Sequence, residues 1–403
     1  MDTVEQKVID ESQRGFGNDQ AKIACRIQYR PTDPKYDENI RRFQGCPTVA
    51  VSKGGRIFLG WYSGGTGEPH MDNYNYLVYS DDGGKTFEAP LLVIQSEKER
   101  NVHALDIQLW IAPNGSLWVF WVQNNAMPLT EENKYMLSAS QPSKLPIVDR
   151  DGYLFPDMRH TSWCVVCDDP DAEDPVFTEP RLLDIGFLRC KPLVTDSGRW
   201  IFFNYDQLND TYGYSISDDN GKTFSRHYGA KKIPTSFDEA MAYQKKNGAI
   251  RMLARNVSGE LSEAISLDNG ITWSEAALNG IFSPNTRFYI SRTPSGRIIL
   301  VNNDMRKDRR RMSVWLSEDD GETFAYKKLV DDPEYSMSYP DVDFFDNKIY
   351  ITYDRERTGE KEIRLLVFTE DDVISPYTEL HSQIVSKPMS PEMAIDRIKE
   401  ANI

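Results

Sequence analysis

One eight-residue pattern, S-x-D-x-G-x-T-(F/W), constrains the fold of this 403-residue chain more than any other feature. It occurs four times, at residues 80–87, 217–224, 266–273 and 317–324. The last two intervals are 49 and 51 residues. The first is 137 residues, close to three such units, which predicts two degenerate copies in between. A period near 50 indicates a fold built from one repeated supersecondary unit.

A second feature recurs six times in phase with this pattern: two strand-like runs joined by a tight turn. The turns are Gly54-Gly55, Asn114-Gly115, Ser197-Gly198, Asn247-Gly248, Ser295-Gly296 and Asp346-Asn347. These residues accept positive φ at low cost and are typical of β-hairpins. A third strand enters the S-x-D-x-G-x-T-W turn and a fourth leaves it. Six such four-stranded units predict an all-β protein, a six-bladed β-propeller of antiparallel blades.

The aspartates of the repeated turn have a structural explanation. Asp and Ser side chains hydrogen-bond to nearby backbone amides, Gly takes the left-handed dihedral, and the aromatic residue packs inward. We therefore interpret the pattern as a turn motif and not as a calcium site. One degenerate copy is visible in the second unit, where Cys167-Asp168-Asp169 is followed by residues 177–180, which resemble residues 87–90.

Two segments depart from the repeat. Residues 127–160 form an insertion within the second unit, and long loops of this kind often act as lids or binding loops. The tail 390–403 predicts a short C-terminal helix, with Ser390 as N-cap and Pro391 in the first turn. The chain then divides into an N-terminal extension with the first-blade entry (1–42), the propeller (43–375) and a C-terminal tail with that helix (376–403).

The repeated turn is the Asp box, and four near-perfect copies in a six-unit chain resemble the sialidase (neuraminidase) superfamily, whose propellers carry these BNR repeats. The resemblance covers residues 43–369. It implies a glycoside hydrolase that acts on carbohydrate, removing a terminal acidic sugar.

The bulk properties restrict the partners and the compartment. The net charge of −15 argues against nucleic acid or an anionic membrane as the main partner. No apolar run is long enough to cross a membrane. Residues 1–20 are polar and lack the apolar core of a signal peptide, which predicts a cytoplasmic protein unless a leader was trimmed. The expected partner is a small-molecule or glycan substrate.

Cysteine and histidine usage predicts no disulfide framework, metal or cofactor. The five cysteines are scattered and odd in number, which favours reduced thiols. Cys164 and Cys167 form a CxxC, but on a strand this spacing places them on opposite faces. The five histidines form no metal-binding motif.

The propeller predicts which residues meet at its axis, because the innermost strand of each blade starts there. Counting seven to nine residues back from each hairpin turn selects Pro47, Asp106, Lys191, Glu239, Arg287 and Tyr339. The ends of the second strands and the loops after them add Glu68, Asp72, Asn124, Asp206, Arg255, Arg309, Arg310 and Arg355. In an acidic protein, this cationic cluster implies an anionic ligand, most simply a carboxylate.

The resemblance assigns roles to several of these residues. Sialidases use a tyrosine nucleophile activated by a glutamate, which implies Tyr339 and Glu239. It implies Asp72 as the acid/base on a loop, with Glu68 as the alternative. Three arginines hold the sugar carboxylate in that family. Arg255 matches one of them, and Arg310, with Arg309 as the alternative, matches another.

The chain departs from the family at the entry to the first blade. The family carries an arginine there, whereas this chain has Phe43-Gln44-Gly45-Cys46-Pro47. Gln44 can donate a hydrogen bond but supplies no charge, a loss of about 1.5–3 kcal/mol for a charge-assisted hydrogen bond. Arg287 or Lys191 would compensate from other blades, and Asp106 would complete the substrate-binding set.

Three hypotheses follow from these patterns. The first is a retaining exo-glycosidase of sialidase type. The second is a glycosidase or lyase for another anionic sugar, a uronic or other ulosonic acid, with Glu239, Asp106 and Asp72 in different roles. The third is a non-catalytic carbohydrate- or protein-binding propeller. The Tyr339/Glu239 pair argues against the third, and the missing arginine favours the second over the first.

Overall fold

The computed structural model of the protein describes residues 22–138, 147–149, 151–155, 160–205, 211–231, 233–235 and 239–388. Six antiparallel sheets, each built from a contiguous part of the chain, are arranged as the six blades of a propeller. We number them blades 1 to 6 in chain order. The predicted fold class is confirmed.

The first three blades carry strands in addition to the basic four. Blade 1 has β1 (Ile27–Tyr29), β2 (Gln44–Val51), β3 (Ile57–Ser63), β4 (Tyr74–Ser80) and β5 (Leu92–Gln95). Blade 2 has β6 (Val102–Ile111), β7 (Leu117–Asn125), β11 (Thr161–Cys167) and β12 (Arg181–Ile185), and its insertion forms β8 (Met127–Pro128), β9 (Ile147–Val148) and β10 (Tyr153–Phe155). Blade 3 has β14 (Leu193–Val194), β15 (Trp200–Phe202), β17 (Gly213–Ser217) and β18 (Ser225–Tyr228), beside a two-stranded pair, β13 (Phe187–Leu188) and β16 (Asn204–Tyr205).

The last three blades are regular four-stranded sheets. Blade 4 has β19 (Ala240–Gln244), β20 (Ile250–Ala254), β21 (Glu260–Ser266) and β22 (Ala277–Phe282). Blade 5 has β23 (Tyr289–Arg292), β24 (Ile298–Asn303), β25 (Met312–Ser317) and β26 (Tyr326–Leu329). Blade 6 has β27 (Met337–Phe345), β28 (Lys348–Arg355), β29 (Glu362–Phe368) and β30 (Gln383–Ser386).

Helical structure is minor in the residues that the structure describes. There, one short α-helix, α1 (Glu370–Ile374), precedes β30, and 3₁₀ turns occur at Pro34–Tyr36, Glu38–Ile40, Lys98–Arg100 and Lys134–Ser138. No helix of the described part of the chain is long and apolar enough to span a membrane. The predicted C-terminal helix at 390–403 lies outside the described residues. The strands of the propeller extend beyond the predicted range 43–375 on both sides, to Ile27 and Ser386.

The Asp boxes connect the third and fourth strands of blades 1, 3, 4 and 5, and the four copies have nearly identical geometry. In blade 5 the Ser317 hydroxyl donates to Asp319 at 2.7 Å and accepts from the Gly321 amide at 2.8 Å. Asp319 also accepts from the Thr323 amide at 2.9 Å. At the turn, these hydrogen bonds take the place of the backbone hydrogen bonds that join the paired strands. Only blade 2 lies between the first two boxes, so the prediction of two degenerate copies was wrong: the insertion lengthens the interval.

The core consists of apolar layers between neighbouring blades. The layer between blades 2 and 3, for example, packs Trp110 and Trp118 against Trp200 and Phe202. Because both faces of each sheet are covered by a neighbour, most inner strands are buried along their whole length, as β2, β3 and β4 are. The propeller is therefore rigid around its axis, where the polar ends of the inner strands meet.

Blades 6 and 1 close the ring through carboxylates and not through a shared sheet. Asp341 accepts from the Thr48 hydroxyl at 2.6 Å and from the Val49 amide at 3.0 Å. Asp343 accepts from the Val51 amide at 2.9 Å, and Asp354 from the Cys46 amide at 3.0 Å. These contacts satisfy the inner edge of β2.

Candidate active site

The start of each inner strand supplies one side chain to the axis. Five of these residues stand nine positions before the glycine of their hairpin turn, and Tyr339 occupies the same place in blade 6. The resulting axial ring is Cys46, Asp106, Arg189, Glu239, Arg287 and Tyr339. The prediction named Pro47 and Lys191 in place of Cys46 and Arg189, because counting seven to nine residues back allowed either neighbour.

Three residues of the axial ring have left-handed backbone conformations. The φ angles of Cys46, Asp106 and Tyr339 are 50°, 55° and 54°. Each lies where the register of its strand pair shifts, as at a β-bulge. A bulge redirects a side chain, and a non-glycine residue in this conformation costs of order 1–3 kcal/mol, a strain that is concentrated at functional sites.

Arg189 lies at the centre of the site. Its Nε donates to Asp106 Oδ2 at 2.8 Å, and its Nη1 donates to Glu239 Oε1 at 3.0 Å and to the Tyr339 hydroxyl at 3.1 Å. Its Nη2 donates to Glu68 Oε1 at 3.3 Å. One guanidinium therefore fixes the positions of three carboxyl groups and the phenol.

Glu239 is held as a carboxylate. Burial alone would raise its pKa, but Arg255, Arg189 and Arg287 outweigh this effect and lower the pKa below its ordinary value. Arg255 Nη1 donates to Glu239 Oε2 at 2.7 Å. The residue is therefore an ionised base at neutral pH.

Tyr339 is a neutral phenol surrounded by cations. Burial, followed by the charge of Glu239, raises its pKa to about 12. The guanidinium carbons of four arginines lie near its ring centroid: Arg357 at 5.0 Å, Arg287 at 5.2 Å, Arg189 at 5.4 Å and Arg309 at 5.5 Å. These cations would stabilise negative charge that develops on the phenol oxygen.

Glu68 is the carboxyl group most strongly biased toward its protonated form. Burial, and then the charge of Asp106, raises its pKa to about 8, although Arg189 opposes the shift. The Tyr62 hydroxyl and the Arg357 guanidinium both contact Glu68 Oε2. A carboxyl group that keeps its proton at neutral pH suits general-acid catalysis.

A cavity of about 230 Å³ opens beside Arg189, Tyr339 and Glu68. Arg189, Arg255, Arg309 and Arg357 line it together with Tyr339 and Glu68. The rest of the lining is neutral and partly apolar, and it consists of Pro69, Leu105, Val122, Phe155, Phe187, Asn124, His103 and His160. Burial lowers the pKa of His103 to about 4 and that of His160 to about 3, so both are uncharged. The insertion contributes Phe155 to this part of the lining.

The structure brings six of the predicted site residues together around Arg189. They are Tyr339, Glu239, Glu68, Asp106, Arg255 and Arg309. Sequence reasoning missed Arg189, Arg357, His103 and His160. A fixed offset from the turn glycine would have selected Arg189, whereas Arg357 follows a strand end with no pattern of its own.

The other five predicted residues neither line the cavity nor bind the Arg189 guanidinium. Asp72 is half-exposed, pairs with Lys98 at 2.8 Å and lines a neighbouring cavity. Arg310 is on the surface and pairs with Asp308 at 3.1 Å.

The other three are buried as structural donors. Arg287 donates to the backbone carbonyls of Arg189, Pro47 and Tyr339, and Lys191 to those of Val49 and Val342. Gln44 donates to the carbonyls of Lys361 and Ser386. Of the remaining loop residues, Arg355 pairs with Glu362, and Asp206 lies outside the described residues.

Two groups among the described residues have the composition of metal ligands: Cys46 with Glu68 and Asp106, and His70 with Asp72 and Asp151. In the first, Arg189 already binds both carboxyl groups. In the second, the Lys98 ammonium contacts both aspartates. Cationic side chains therefore take the place that a metal ion would occupy. All five cysteines are buried free thiols.

Sequence comparison relates the chain to one family. A family model described as a BNR repeat-like domain matches residues 55–351, which is more than half of the chain. No curated protein matches it.

Solved structures show the same fold at low identity. The NanB sialidase from Streptococcus pneumoniae superposes with a TM-score of 0.59 and 17% identity over 79% of this chain, which spans 66% of that protein. A leech intramolecular trans-sialidase gives 0.64 and 13% over 87% of this chain and 70% of its own. The intramolecular trans-sialidase from Ruminococcus gnavus gives 0.63 and 14% over 88% and 99%. At these identities the comparison establishes the fold alone.

Proposed function

The chain belongs to the family of BNR repeat-like domains, and from the geometry of its axial site we propose that it is a retaining exo-glycosidase of sialidase type, removing a terminal acidic sugar. One observation carries the proposal. A buried phenol, Tyr339, lies beneath a cavity of about 230 Å³ that is lined by four arginines and one carboxyl group. The size of the cavity favours a single sugar unit, which indicates exo action.

The charge of the cavity selects an anionic sugar. Four guanidinium groups face one carboxyl group there, although the whole chain carries a net charge of −15. Arginine binds carboxylates with paired, directed hydrogen bonds. The related solved structures include sialidases and trans-sialidases, one with 2,7-anhydro-Neu5Ac bound, which supports a sialic acid or a related ulosonic acid as the substrate.

The first chemical step joins the sugar to Tyr339. The phenol oxygen attacks the anomeric carbon while Glu239 accepts the phenol proton and Glu68 donates its proton to the departing glycosidic oxygen. A neutral phenol meets no charge repulsion from the substrate carboxylate, as a carboxylate nucleophile would. Arg189 Nη1 donates to both Tyr339 and Glu239, so the proposed step requires that these two side chains come into direct contact when the sugar binds.

The second step releases the sugar with retained configuration. Water attacks the anomeric carbon, the ionised Glu68 accepts a proton from it, and Glu239 returns its proton to the phenol. We assign the acid/base role to Glu68 because it lines the cavity and has a raised pKa, whereas Asp72 faces the neighbouring cavity beside Lys98.

Hydrolysis of a fluorogenic α-sialoside tests the proposal. Tyr339→Phe and Glu239→Gln should each reduce kcat by roughly 10²–10⁴-fold, the scale of a lost acid–base or nucleophilic group. Arg309→Ala should raise KM, and Arg310→Ala, its neighbour on the surface, is the matched control that should leave both constants unchanged. Full activity in Tyr339→Phe would exclude the tyrosine nucleophile.

A second candidate is elimination from a uronic acid. One observation favours it: among the described residues, the hydrogen-bond partner of the Tyr339 hydroxyl is the donor Arg189 and not Glu239. In this reaction the phenolate form of Tyr339, stabilised by the donor Arg189, abstracts the proton beside a carboxylate that the arginines neutralise, and Glu68 donates its proton to the departing oxygen. An unsaturated, ultraviolet-absorbing product from a uronic acid glycoside, with no turnover of sialosides, would favour this reaction.

A further inference from the structure

The first blade contributes no cation to the axial site. Its ring position holds Cys46, a buried thiol. Arg41, on the same side, is buried elsewhere: it stacks on the Tyr76 ring at 4.1 Å and donates to the Tyr36 carbonyl at 3.0 Å. The two residues before Cys46 are Gln44, which binds backbone carbonyls, and Gly45. Any positive charge on this side of the cavity therefore comes from another part of the chain.

Arg357 supplies that charge from blade 6. It follows β28 in the chain and reaches back over the start of blade 1, where its guanidinium carbon lies 5.3 Å from the Tyr62 ring centroid and 6.0 Å from that of Phe43. It also lines the cavity beside Tyr339. Arg357, a cation from the last blade, therefore lies over the start of the first blade, which has no cation of its own in the site.

Gly45 makes room for this arrangement. A Cβ atom at position 45 would lie 2.8 Å from Arg357 Nε and 3.2 Å from the Tyr62 hydroxyl. Such a short contact would force the guanidinium to move. The glycine in blade 1 and the arginine after β28 form one structural unit.

Arg357 is also available to bind a ligand. Arg189 and Arg255 are committed to Asp106 and Glu239, which are ionisable groups outside the cavity lining. The partner of Arg357 is Glu68, whose raised pKa leaves it largely protonated at neutral pH. Burial lowers the pKa of Arg357 itself, and Glu68 is the partner that its guanidinium can exchange for a ligand carboxylate in the cavity.

We infer that Arg357, given room by Gly45, is the residue that binds the substrate carboxylate on the first-blade side of the cavity and so determines specificity for acidic sugars. The inference rests on the proposed function. Arg357 contacts Glu68 in the structure, and in the complex with the sugar it binds the substrate carboxylate while Glu68 turns to the glycosidic oxygen.

The test compares two substrates, a fluorogenic α-sialoside and its methyl ester, which lacks the negative charge. Arg357→Gln should raise KM for the acid roughly 10- to 100-fold, the scale of one charge-assisted hydrogen bond, with a much smaller change in kcat. The same variant should leave KM for the ester unchanged. An equal loss on both substrates would assign Arg357 to the support of the fold or of Glu68 and overturn the inference.

Gly45→Ala tests the same unit from the other strand. It should raise KM for the acid while Arg357 itself is intact, and Gly67→Ala is its matched control because a Cβ there has nothing within 4 Å. A wild-type KM for the acid in Gly45→Ala would contradict the inference.

Failure of the proposed function has a different signature. If the wild type hydrolyses neither substrate, calorimetry with a 2,3-dehydro sialic acid as the probe replaces the assay. Binding that is weakened by Arg357→Gln then supports the carboxylate site without the reaction. Binding unaffected by the substitution, or no binding, overturns it.

Discussion

At the scale of single residues, Arg189 links the ionisable groups of the site. It joins Asp106, Glu239, Glu68 and the Tyr339 phenol within one fork of hydrogen bonds. Because Glu239 has Arg255 as a second cation, it stays ionised. Glu68 instead is buried and lies close to Asp106, and burial first, then the charge of Asp106, raises its pKa. Environments that separate the pKa values of two carboxyl groups are those that allow one to act as base and the other as acid.

The pH profile of Asp106→Asn tests this account. Glu68 must be protonated to assist the leaving group, so kcat/KM should fall as the pH rises through about 8. Removing the negative charge of Asp106 makes the deprotonated form of Glu68 easier to reach, and its pKa falls. The alkaline limb should therefore move to lower pH.

A sialyl-lactose substrate is required for this measurement, because its leaving group needs protonation more than an aryl leaving group does. Asp72→Asn is the control, expected to keep the alkaline limb in place. A shift of the limb in Asp72→Asn with none in Asp106→Asn would transfer the acid/base role to Asp72.

The site was only partly predictable at this scale. Glu239 and Asp106 follow from the hairpin spacing, because a strand of fixed length starts at a fixed distance from its turn. Arg189 follows from the same rule when it is applied strictly. Arg357 does not, because its position depends on the path of a loop and on the missing side chain at Gly45, two features separated by more than three hundred residues.

At the scale of elements, the Asp box is a self-contained turn. Its serine hydroxyl accepts from a buried glycine amide, as Ser317 does from Gly321, and the aspartate accepts from the threonine amide. These hydrogen bonds are local in sequence, which is why the motif could be recognised and its structural role predicted from the chain alone. Two blades lack a complete box: blade 2 has a degenerate copy, and blade 6 has α1 between its third and fourth strands.

Ser317→Ala measures the contribution of one box. The change leaves the buried Gly321 amide without an acceptor, a loss of about 1–3 kcal/mol in the free energy of unfolding. Equilibrium urea denaturation followed by tryptophan fluorescence provides the measurement. Ser258→Ala, at an exposed serine, is the control, and equal stability of the two variants would contradict the structural role.

At the scale of the whole molecule, the ring is closed by buried charges. Asp341 of blade 6 accepts from Thr48 and Val49 of blade 1 and from Gln108 of blade 2, and it lies 3.6 Å from the Lys191 ammonium of blade 3. Sequence reasoning found Lys191 but placed it in the substrate site. The Lys191 side chain is long enough to extend past the axial ring to the backbone carbonyls between blades 6 and 1. The spacing of the strands gives no indication of this reach.

Asp341→Asn should destabilise the protein by about 3–5 kcal/mol, because it removes one partner of a buried ion pair. Asp343→Asn is the matched comparison: Asp343 is less buried and accepts from one backbone amide of blade 1, so its loss should be smaller. Denaturation midpoints of the two variants provide the measurement. Equal midpoints would show that Asp341 has no special part in closing the ring.

The six contiguous blades have a consequence for the order of the chain itself. Among the described strands, no blade takes a strand from another blade's part of the chain, and the segments that flank the ring are in contact, since the Lys387 amide donates to Glu38 at 2.8 Å. Joining these segments and opening the chain between two other blades would give a circular permutant that keeps every strand pairing. The fold therefore allows the chain to start at any of its six blades. Rearrangement of the blades is open to this fold in evolution and in engineering.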